Sequence, residues 1–263
     1  MISSGTRLHG ARVIYLRDLL RELVAREIKV RYEGSFVGLA WSLVNPLLLL
    51  LVFHFLFRVV LSLDIPRYSS FAFSAILAWT WFQMSLFQAA GAISGSRELI
   101  KLPGFPPAIL PAVTVTTNLI HFVLALPVVM LFLVIDGTGL SLTILALPIV
   151  MALQFILTLS LAYFVATANV MFRDTQHLLG VFLQLLFFLS PIFYEASAVP
   201  APYQPLYRLN PMVHLIDAYR AVLLRGSLPV WLPLLLLGML GACLLYVSLK
   251  VFMRMSYRFV EEL

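Results

Sequence analysis

Long apolar stretches dominate the chain and are separated by short polar segments. Six of them have roughly the 20 largely apolar residues that a helix needs to cross about 30 Å of hydrocarbon. They are 36–57, 71–93, 108–135, 142–172, 176–193 and 228–253. Because a backbone surrounded by lipid must satisfy its own hydrogen bonds, each stretch is predicted to be a helix. The pattern therefore predicts an all-α membrane protein with six transmembrane helices in one domain, 1–263.

A different pattern precedes the first long stretch. Between Tyr15 and Arg31, apolar residues recur every three or four positions, and charged residues occupy most positions between them. Glu27 and Arg31 have the i, i+4 spacing of a helical ion pair. This periodicity predicts an amphipathic helix over 15–31 that lies in the membrane interface.

A second amphipathic segment, YRLNPMVHLIDAYRAVLLRG (207–226), precedes the last long stretch. Six of its apolar side chains share one helical face: Met212, Leu215, Ile216, Tyr219, Val222 and Leu223. The short stretch 176–193 contains Ser190-Pro191, which interrupts a helix. Backbone breaks at membrane depth are tolerated only where they are buried in protein or line a water-filled cavity. We therefore predict that 194–227 forms re-entrant gate helices beside a conduit, and that Asp217 pairs with Arg220.

The distribution of positive charge indicates the orientation of the chain. Of the 18 Lys and Arg residues, 13 lie in the N-terminal segment, the C-terminal segment and alternate connections, and 5 lie in the others. The positive-inside rule then places both termini in the cytoplasm. This bias, together with contact to anionic membrane lipids, explains the net charge of +6. We expect no nucleic-acid partner.

The connection after the second long stretch, SGSRELIKLPGFPPAILP, contains a helix signal of its own. Ser94 or Ser96 is suited to cap a short helix that runs to about Lys101, and Pro103-Gly104 ends it. Two interpretations remain open for the segment 95–104. It presents charged and apolar side chains to a partner protein, or it is a capped loop that binds none.

The sequence lacks common motifs for catalysis and nucleotide binding. It has no phosphate-binding loop of the form G-x-x-x-x-G-K-[ST], no G-x-S-x-G elbow, and no metal-binding spacing among its five histidines. Ionisable residues are nearly absent from the middle of the long stretches, which disfavours a proton relay. We therefore expect neither an enzyme nor a cofactor site in this chain. Any energy for movement through a conduit has to come from another subunit.

Three segments carry a resemblance to a known family. REIKVRYEGSFVGLAWSLVNPL (26–47), FRDTQHLLGVFLQLLFFLSPIFY (172–194) and LNPMVHLIDAYRAVLL (209–224) resemble the membrane subunit of ABC-2-type exporters of lipid-linked polysaccharides. The resemblance implies a homodimer with a channel at its interface and two cytoplasmic ATPase subunits that bind ATP and Mg. It also implies location in the bacterial plasma (inner) membrane. The implied cargo is O-antigen, capsule or teichoic acid, with O-antigen as the first expectation.

The same resemblance implies roles for particular residues. Coupling to the ATPase is expected of Arg97, Glu98, Leu99, Ile100 and Lys101. A substrate entrance for a pyrophosphate is expected at Arg26, Lys29 and Arg31, although positive-inside bias alone also accounts for them. The expected channel lining for sugars is Trp79, Trp81, Phe82, Phe87, Phe187, Phe188, Phe193 and Tyr194, unless these rings face lipid. The expected periplasmic gate includes Asn210, Pro211, Asp217 and Arg220.

Other interpretations share parts of this pattern. An exporter of a small hydrophobic drug or lipid would keep the fold but use a narrow apolar cleft. A membrane enzyme acting on polyprenyl-linked sugars would need carboxylates in one plane, for which Asp174, Glu195 and Asp217 are the candidates. A structural scaffold would explain the interface helix but not a re-entrant gate.

Overall fold

The computed structural model describes residues 3–35, 38–61, 65–139 and 141–259, and every regular element in these ranges is helical. The α-helices in chain order are α1 Ser3–Tyr32, α2 Trp41–Phe53, α3 Tyr68–Ala92, α4 Arg97–Ile100, α5 Ile109–Ile135, α6 Leu147–Met171, α7 Thr175–Phe188, α8 Gln204–Tyr207, α9 Pro211–Leu223 and α10 Trp231–Met255. A π-helix, His54–Val60, continues α2, and a 3-10 turn, Leu142–Ala146, leads into α6. The all-α prediction is confirmed for the described residues.

Among the described residues, four helical segments are long and apolar enough to cross a membrane, and they coincide with four of the six predicted spans. They are Tyr68–Ala92, Ile109–Ile135, Leu142–Met171 and Trp231–Met255. Helix α7 has 14 residues, about 21 Å of helix, and is shorter than a hydrocarbon layer about 30 Å thick. The first predicted span corresponds to α2 and its π-helical continuation. Its predicted first residue, Phe36, lies outside the described residues.

Helix α3 lies at the centre of the bundle and contacts α2, α5, α6, α7 and α9. Most of its residues are buried, including Phe73, Trp79 and Trp81, and the alanines and serines between these rings let neighbouring helices approach closely. In the contact with α6, Nε2 of the buried Gln154 donates a hydrogen bond to the carbonyl oxygen of Ala78 at 2.8 Å. Interhelical bonds of this kind contribute roughly 0.6 kcal/mol each in a membrane.

Glycine lets α10 pack closely on α6. A Cβ atom at Gly241 would lie 3.4 Å from both the backbone nitrogen and Cα of Leu157, and 3.3 Å from a methyl group of Ile156. A Cβ atom at Gly238 would lie 2.6 Å from Cδ2 of Leu153, the end of a flexible side chain. The contact at Gly241 therefore involves backbone that cannot move aside, whereas the contact at Gly238 involves a side chain that can.

We expect Gly241→Val to lower the free energy of unfolding by about 1–3 kcal/mol, the usual cost of overpacking. The two helix backbones must separate to admit the new side chain. Thermal unfolding of the detergent-solubilised protein measures the effect. Gly139→Val is the control, because no atom of the described residues beyond its chain neighbours lies within 4 Å of a Cβ atom at Gly139. Equal losses in the two variants would contradict the close helix contact.

The connections gather at two ends of the bundle. At the end where α3 and α6 begin and α5 ends, the Ser70 hydroxyl donates a hydrogen bond to the carboxylate of Asp136, and Leu142–Ala146 packs against α9. We call this the α9 end. At the opposite end, where α3 ends and α5 begins, the Tyr163 hydroxyl donates to the carbonyl oxygen of Ala108 at 2.7 Å. Helix α4 lies here, and we call this the α4 end.

Both predicted amphipathic helices are present. Helix α1 begins earlier than predicted, at Ser3, and packs along α5 with Val24 buried and Arg17 and Arg26 exposed. Helix α9 buries all six apolar positions identified from its periodicity: Met212, Leu215, Ile216, Tyr219, Val222 and Leu223. Because this face packs on α3 and α6, α9 is an integral part of the bundle.

Candidate functional site

Aromatic rings from four parts of the chain form one cluster: α2 with its π-helical continuation, α3, α7 and the segment after α7. We define this aromatic cluster as Phe53, Phe57, Trp79, Phe82, Phe187, Phe188, Phe193 and Tyr194. Neighbouring ring centroids lie 5.0–6.1 Å apart, a range typical of favourable aromatic pairs. The closest pair is Phe57 and Phe193, whose ring planes differ by 10°.

The structure brings six of the eight predicted channel-lining rings into the aromatic cluster. They are Trp79, Phe82, Phe187, Phe188, Phe193 and Tyr194. The other two rings lie elsewhere. Trp81 packs against Phe122 of α5, with ring centroids 5.2 Å apart. Phe87 lies beside Gly180 of α7.

The aromatic cluster is buried on one side and open on the other. Trp79 and Phe82 are 1% and 2% exposed, whereas Phe188 is 56% exposed. A ring buried within its own chain cannot contact a passing molecule without a rearrangement. The accessible aromatic surface is therefore formed by Phe188 with its partly buried neighbours Phe187 and Phe193.

Two members of the aromatic cluster were not expected from the sequence. Phe53 ends α2 and Phe57 lies in its π-helical continuation, and their rings are 5.8 Å apart. The Phe53 ring also lies 6.0 Å from that of Phe187 on α7. One feature of the sequence could have identified them: the two phenylalanines are four positions apart, a spacing that places both rings on one side of a helix.

Two residues of the α9 region hold the chain where α7 ends. Nδ2 of Asn210 donates to the carbonyl oxygen of Leu189 at 3.3 Å and to Oγ of Ser190 at 2.9 Å. Nη2 of Arg220 donates to the carbonyl oxygen of Ile192 at 3.0 Å. Side chains of the protein therefore satisfy polar groups at the predicted helix break, as a break inside a bundle requires.

Arg220 is 6% exposed and lies on the buried face of α9. Its Nε and Nη2 are each 3.4 Å from the carbonyl oxygen of Phe71, and its Cζ is 3.3 Å from the centroid of the Phe71 ring. Asp217 accepts a hydrogen bond from Nη2 of Arg225 at 2.8 Å. The predicted pair of Asp217 and Arg220 is therefore wrong. Arg220 points inward to backbone acceptors, whereas Asp217 is about half exposed and meets the exposed Arg225.

Asn210 also caps α9, because its Oδ1 accepts a hydrogen bond from the Met212 amide at 3.0 Å. We expect Asn210→Ala to lower the free energy of unfolding by about 1 kcal/mol for the lost cap, with a further loss for the bonds to Leu189 and Ser190. Asn210→Asp keeps the cap acceptor but cannot donate, so its thermal midpoint in detergent should fall between those of the wild type and Asn210→Ala. If Asn210→Asp had the same thermal midpoint as the wild type, the hydrogen bonds from Asn210 to Leu189 and Ser190 would contribute nothing to stability.

Arg31 is the centre of a polar cluster between α1, α3 and α5. Its Nη2 donates to Oε1 of Glu27 at 2.9 Å and to Oε1 of Gln88 at 3.0 Å, and its Nη1 lies 3.4 Å from Nε2 of His121. Nδ2 of Asn118 donates to the same Gln88 oxygen at 2.9 Å. The predicted ion pair of Glu27 and Arg31 is present, and it is part of a network that fastens α1 to the bundle.

The three predicted entrance residues differ in their surroundings. Arg26 and Lys29 are exposed, whereas the side chain of Arg31 is 29% exposed and bonded as described. Burial raises the pKa of Glu27, and the neighbouring charge of Arg31 opposes that rise. Arg26 and Lys29 are therefore the accessible cations of the set, and Arg31 primarily holds the end of α1.

Helix α4 presents some of the predicted coupling residues and buries others. Arg97, Glu98 and Lys101 are exposed, Leu99 is partly buried and Ile100 is buried. The predicted serine cap is wrong. Ser96 makes no side-chain cap bond, and the Ser94 hydroxyl donates back to the carbonyl oxygen of Gly91 at 3.1 Å. The reason is that a 3-10 turn links α4 directly to the end of α3.

A cavity of about 590 Å³ lies at the α4 end and separates α1 from α4. Arg26 and Arg31 line it from α1, Gln88 from α3, and Glu98 and Leu99 from α4. The structure thus brings predicted entrance residues and predicted coupling residues to one cavity. Lys29 is not among its lining residues. Within the described ranges, no three His, Cys, Asp or Glu side chains come together as a metal site would require.

Several long apolar helices and a helix that is broken beside buried side chains define a multi-pass membrane protein. Comparison with known families identifies the family within this class. Residues 18–224 match the family described as ABC-2 type transporter, and the chain belongs to that family.

The chain is also similar to individual transport proteins over most of its length. It is 37% identical over 249 residues to the O-antigen export system permease protein RfbA of Myxococcus xanthus, covering 94% of this chain and 96% of the relative. It is 30% identical over 250 residues to RfbA of Klebsiella pneumoniae, covering 95% and 96%. It is 22% identical over 233 residues to the polysialic acid transport protein KpsM of Escherichia coli, covering 88% and 90%. The resemblance stated from the sequence is confirmed.

Proposed function

We propose that the chain is the channel-forming membrane subunit of an ATP-driven exporter that moves lipid-linked O-antigen polysaccharide from the cytoplasmic to the outer side of the bacterial inner membrane. The observation that carries the proposal is the 37% identity over 94% of the chain to a permease of an O-antigen export system. Membership of the ABC-2 family supports it. So does the exposed aromatic surface, because aromatic rings are common in sites that bind organic ligands.

The proposed topology has six crossings and both termini in the cytoplasm. The first crossing is α2 with its π-helical continuation, and the fifth is α7 with the segment that follows it. The α4 end then faces the cytoplasm and the α9 end faces outward. The 13 positive residues assigned to the cytoplasmic side support this orientation. Helices α8 and α9 form the gate, in which Asn210, Pro211, Asp217 and Arg220 take part.

The proposed assembly is a homodimer of this chain with two copies of a cytoplasmic ATPase, which bind ATP and Mg. Helix α4 docks on the ATPase through the exposed Arg97, Glu98 and Lys101, while Ile100 anchors α4 in the bundle. This arrangement explains why charged side chains face outward on a helix of only four residues. The missing phosphate-binding loop in the sequence supports a separate ATPase.

The proposed substrate path runs from the α4 end to the α9 end. The phosphate groups of the lipid-linked substrate meet Arg26 and Lys29, because exposed cations are suited to phosphate oxygens. The glycan then passes the rings of Phe187, Phe188, Phe193 and Tyr194. The buried Trp79 and Phe82 support these rings from behind, and Phe87 extends the lining along α3. Rings are suited to a moving chain because they supply contact area with few fixed hydrogen bonds.

One observation favours a second candidate, export of a small hydrophobic drug or lipid. An apolar cavity of about 810 Å³ lies between α3, α6, α7 and the α8 region, lined by residues that include Phe82, Phe182 and Tyr207. Such a cavity suits a hydrocarbon chain. The same cavity is compatible with the lipid part of a lipid-linked glycan, so the names of the relatives favour the first candidate.

The test is a gene replacement combined with purification. The tagged chain should restore surface O-antigen, seen on a lipopolysaccharide gel, to a cell that lacks its own copy. After gentle solubilisation, mass spectrometry should find a phosphate-loop ATPase in near-equal amount. Recovery of the chain alone, under conditions that preserve other transporter complexes, would overturn the assembly. Restored growth on a hydrophobic drug without restored O-antigen would favour the second candidate.

A further inference from the structure

A cavity of about 550 Å³ lies at the α9 end, where the chain turns into α3 and where α9 ends. Its size is in the range of roughly 300–1,000 Å³ that is common for ligand sites. Five charged side chains line it: Arg67, Glu195, Asp217, Arg220 and Arg225. The proposed gate explains why α9 borders the cavity. It does not explain why so many charges converge there.

The buried cation in this lining is not fully satisfied by the protein. Arg220 is 6% exposed, and its hydrogen bonds use Nε and Nη2 on the carbonyl oxygens of Phe71 and Ile192. Among the described residues, no acceptor is bonded to Nη1 and no carboxylate forms an ion pair with Arg220. Buried guanidinium groups are normally paired, because an unpaired buried charge is costly. Arg220 therefore has donor capacity on a side chain that lines the cavity.

The two carboxylates of the lining already have partners. Asp217 is bonded to Arg225, and Glu195 accepts a hydrogen bond from the Ser197 hydroxyl at 3.0 Å. Each carboxylate has lone pairs left for another donor, since two oxygens offer about four acceptor positions. With three guanidinium groups and two carboxylates, the lining has one positive charge in excess. The cavity therefore offers acceptors for hydroxyl groups and an unbalanced charge for an anion.

Arg67 has an unusual backbone conformation at the cavity. Its φ of 54° and ψ of 46° are left-handed, and it is the one non-glycine residue with positive φ among the described residues. Left-handed geometry is uncommon outside glycine, asparagine and aspartate, and it concentrates at functional sites. The carbonyl oxygen of Arg67 accepts a hydrogen bond from the Phe71 amide at 3.0 Å. The turn therefore places Arg67 one helical turn before Phe71, the residue whose ring lies under Arg220.

The buried Tyr68 connects Phe71 of the cavity lining to Phe57 of the aromatic cluster. The Tyr68 ring lies 6.3 Å from both the Phe57 ring and the Phe71 ring. Glu195 directly follows Tyr194, the last member of the aromatic cluster. The charged lining and the aromatic cluster are therefore neighbours in the fold.

We propose that this cavity binds an acidic sugar unit of the exported glycan at the outer end of the bundle; this inference rests on the proposed export function. The sugar carboxylate accepts hydrogen bonds from Nη1 of Arg220 and from the guanidinium of Arg67. The sugar hydroxyls donate to Glu195 and Asp217. The class of ligand follows from the lining, because a neutral sugar would leave the excess positive charge unbalanced and a simple phosphate would not use the carboxylates.

The experiment measures saturation-transfer NMR of glucuronate with the purified full-length chain in detergent, and glucose and inorganic phosphate serve as separate probes. We expect saturation transfer to glucuronate and a much weaker signal from glucose. Arg67→Gln should bind glucuronate about tenfold more weakly, as expected for a lost hydrogen bond between charged groups. Arg208→Gln is the matched control, because Arg208 is exposed near the same end but does not line the cavity. Unchanged thermal midpoints would show that both variants are folded.

Three outcomes would overturn the inference. They are equal signals from glucose and glucuronate, equal losses in the two variants, and binding of phosphate without binding of glucuronate. The third would assign the cavity to a phosphate group, such as that of a lipid headgroup. The proposed function is tested separately, since restored O-antigen export and recovery of the ATPase require no glucuronate binding. A chain that exports O-antigen but fails the NMR test would overturn the inference alone.

Discussion

Arg220→Met is expected to lower the free energy of unfolding by about 2–5 kcal/mol. This range adds the cost of losing a desolvated cation–π contact to the cost of leaving a buried carbonyl oxygen without its donor. The substitution removes the contact with the Phe71 ring and the hydrogen bond to the carbonyl oxygen of Ile192. Removing a buried charge also relieves a desolvation cost. We expect the loss to dominate, because the carbonyl groups stay in place and the helix break after α7 loses its donor.

Thermal and denaturant unfolding in one detergent measure this effect. Arg225→Met is the matched control. It also removes an arginine, five positions after Arg220, but the ion pair of Arg225 with Asp217 is about half exposed. Exposed pairs contribute about 0–1 kcal/mol. Arg220→Lys should be intermediate, since an ammonium group keeps the charge but loses the planar fork that reaches two carbonyls. If Arg220→Met and Arg225→Met unfold at the same temperature, Arg220 does not hold the break.

Periodicity and length predicted the parts of the fold that depend on local sequence. The six apolar positions of α9 are all buried, and α1 has the expected exposed charges, because a helix of period 3.6 fixes which side chains share a face. Four predicted spans became long helices for the same local reason. Helix α7 is shorter than its apolar stretch, because the chain leaves the helix at Leu189, just before the Ser190-Pro191 pair.

The partners of charged residues could not be predicted in this way. Spacing suggested that Asp217 pairs with Arg220, but Arg220 finds the carbonyl oxygen of Phe71, 149 positions away in the sequence. Only the packing of α9 on α3 creates that acceptor. The same applies to the aromatic rings that the family resemblance assigned to a channel lining. Which rings are buried, as Trp79 is, and which are open, as Phe188 is, depends on how α2 and α7 cover α3.

Replacing Glu98 and Lys101 together by alanine is expected to reduce recovery of the ATPase with the purified chain by about tenfold, which corresponds to roughly 1.4 kcal/mol of binding free energy. Both side chains are exposed, Glu98 on the helix proposed to dock and Lys101 directly after it. Among the described residues, neither side chain has a hydrogen bond or ion pair to lose. The substitution should therefore leave membrane insertion and the thermal midpoint unchanged. Because charged contacts fix the orientation in which two proteins dock, we expect export of O-antigen to fall in parallel with recovery of the ATPase.

The measurement is the ratio of ATPase to tagged chain after co-expression and gentle solubilisation. Replacing Arg21 and Glu22 by alanine is the matched control, since these side chains form a similar exposed pair of charges on α1. Ile100→Ala separates docking from folding: its side chain is 6% exposed and packs in the bundle, so its loss should lower the thermal midpoint of the chain as well. Normal ATPase recovery with the Glu98 and Lys101 double variant would remove α4 from the proposed contact. The cavity between α1 and α4 would then be part of the proposed substrate entrance only, with no role in ATPase docking.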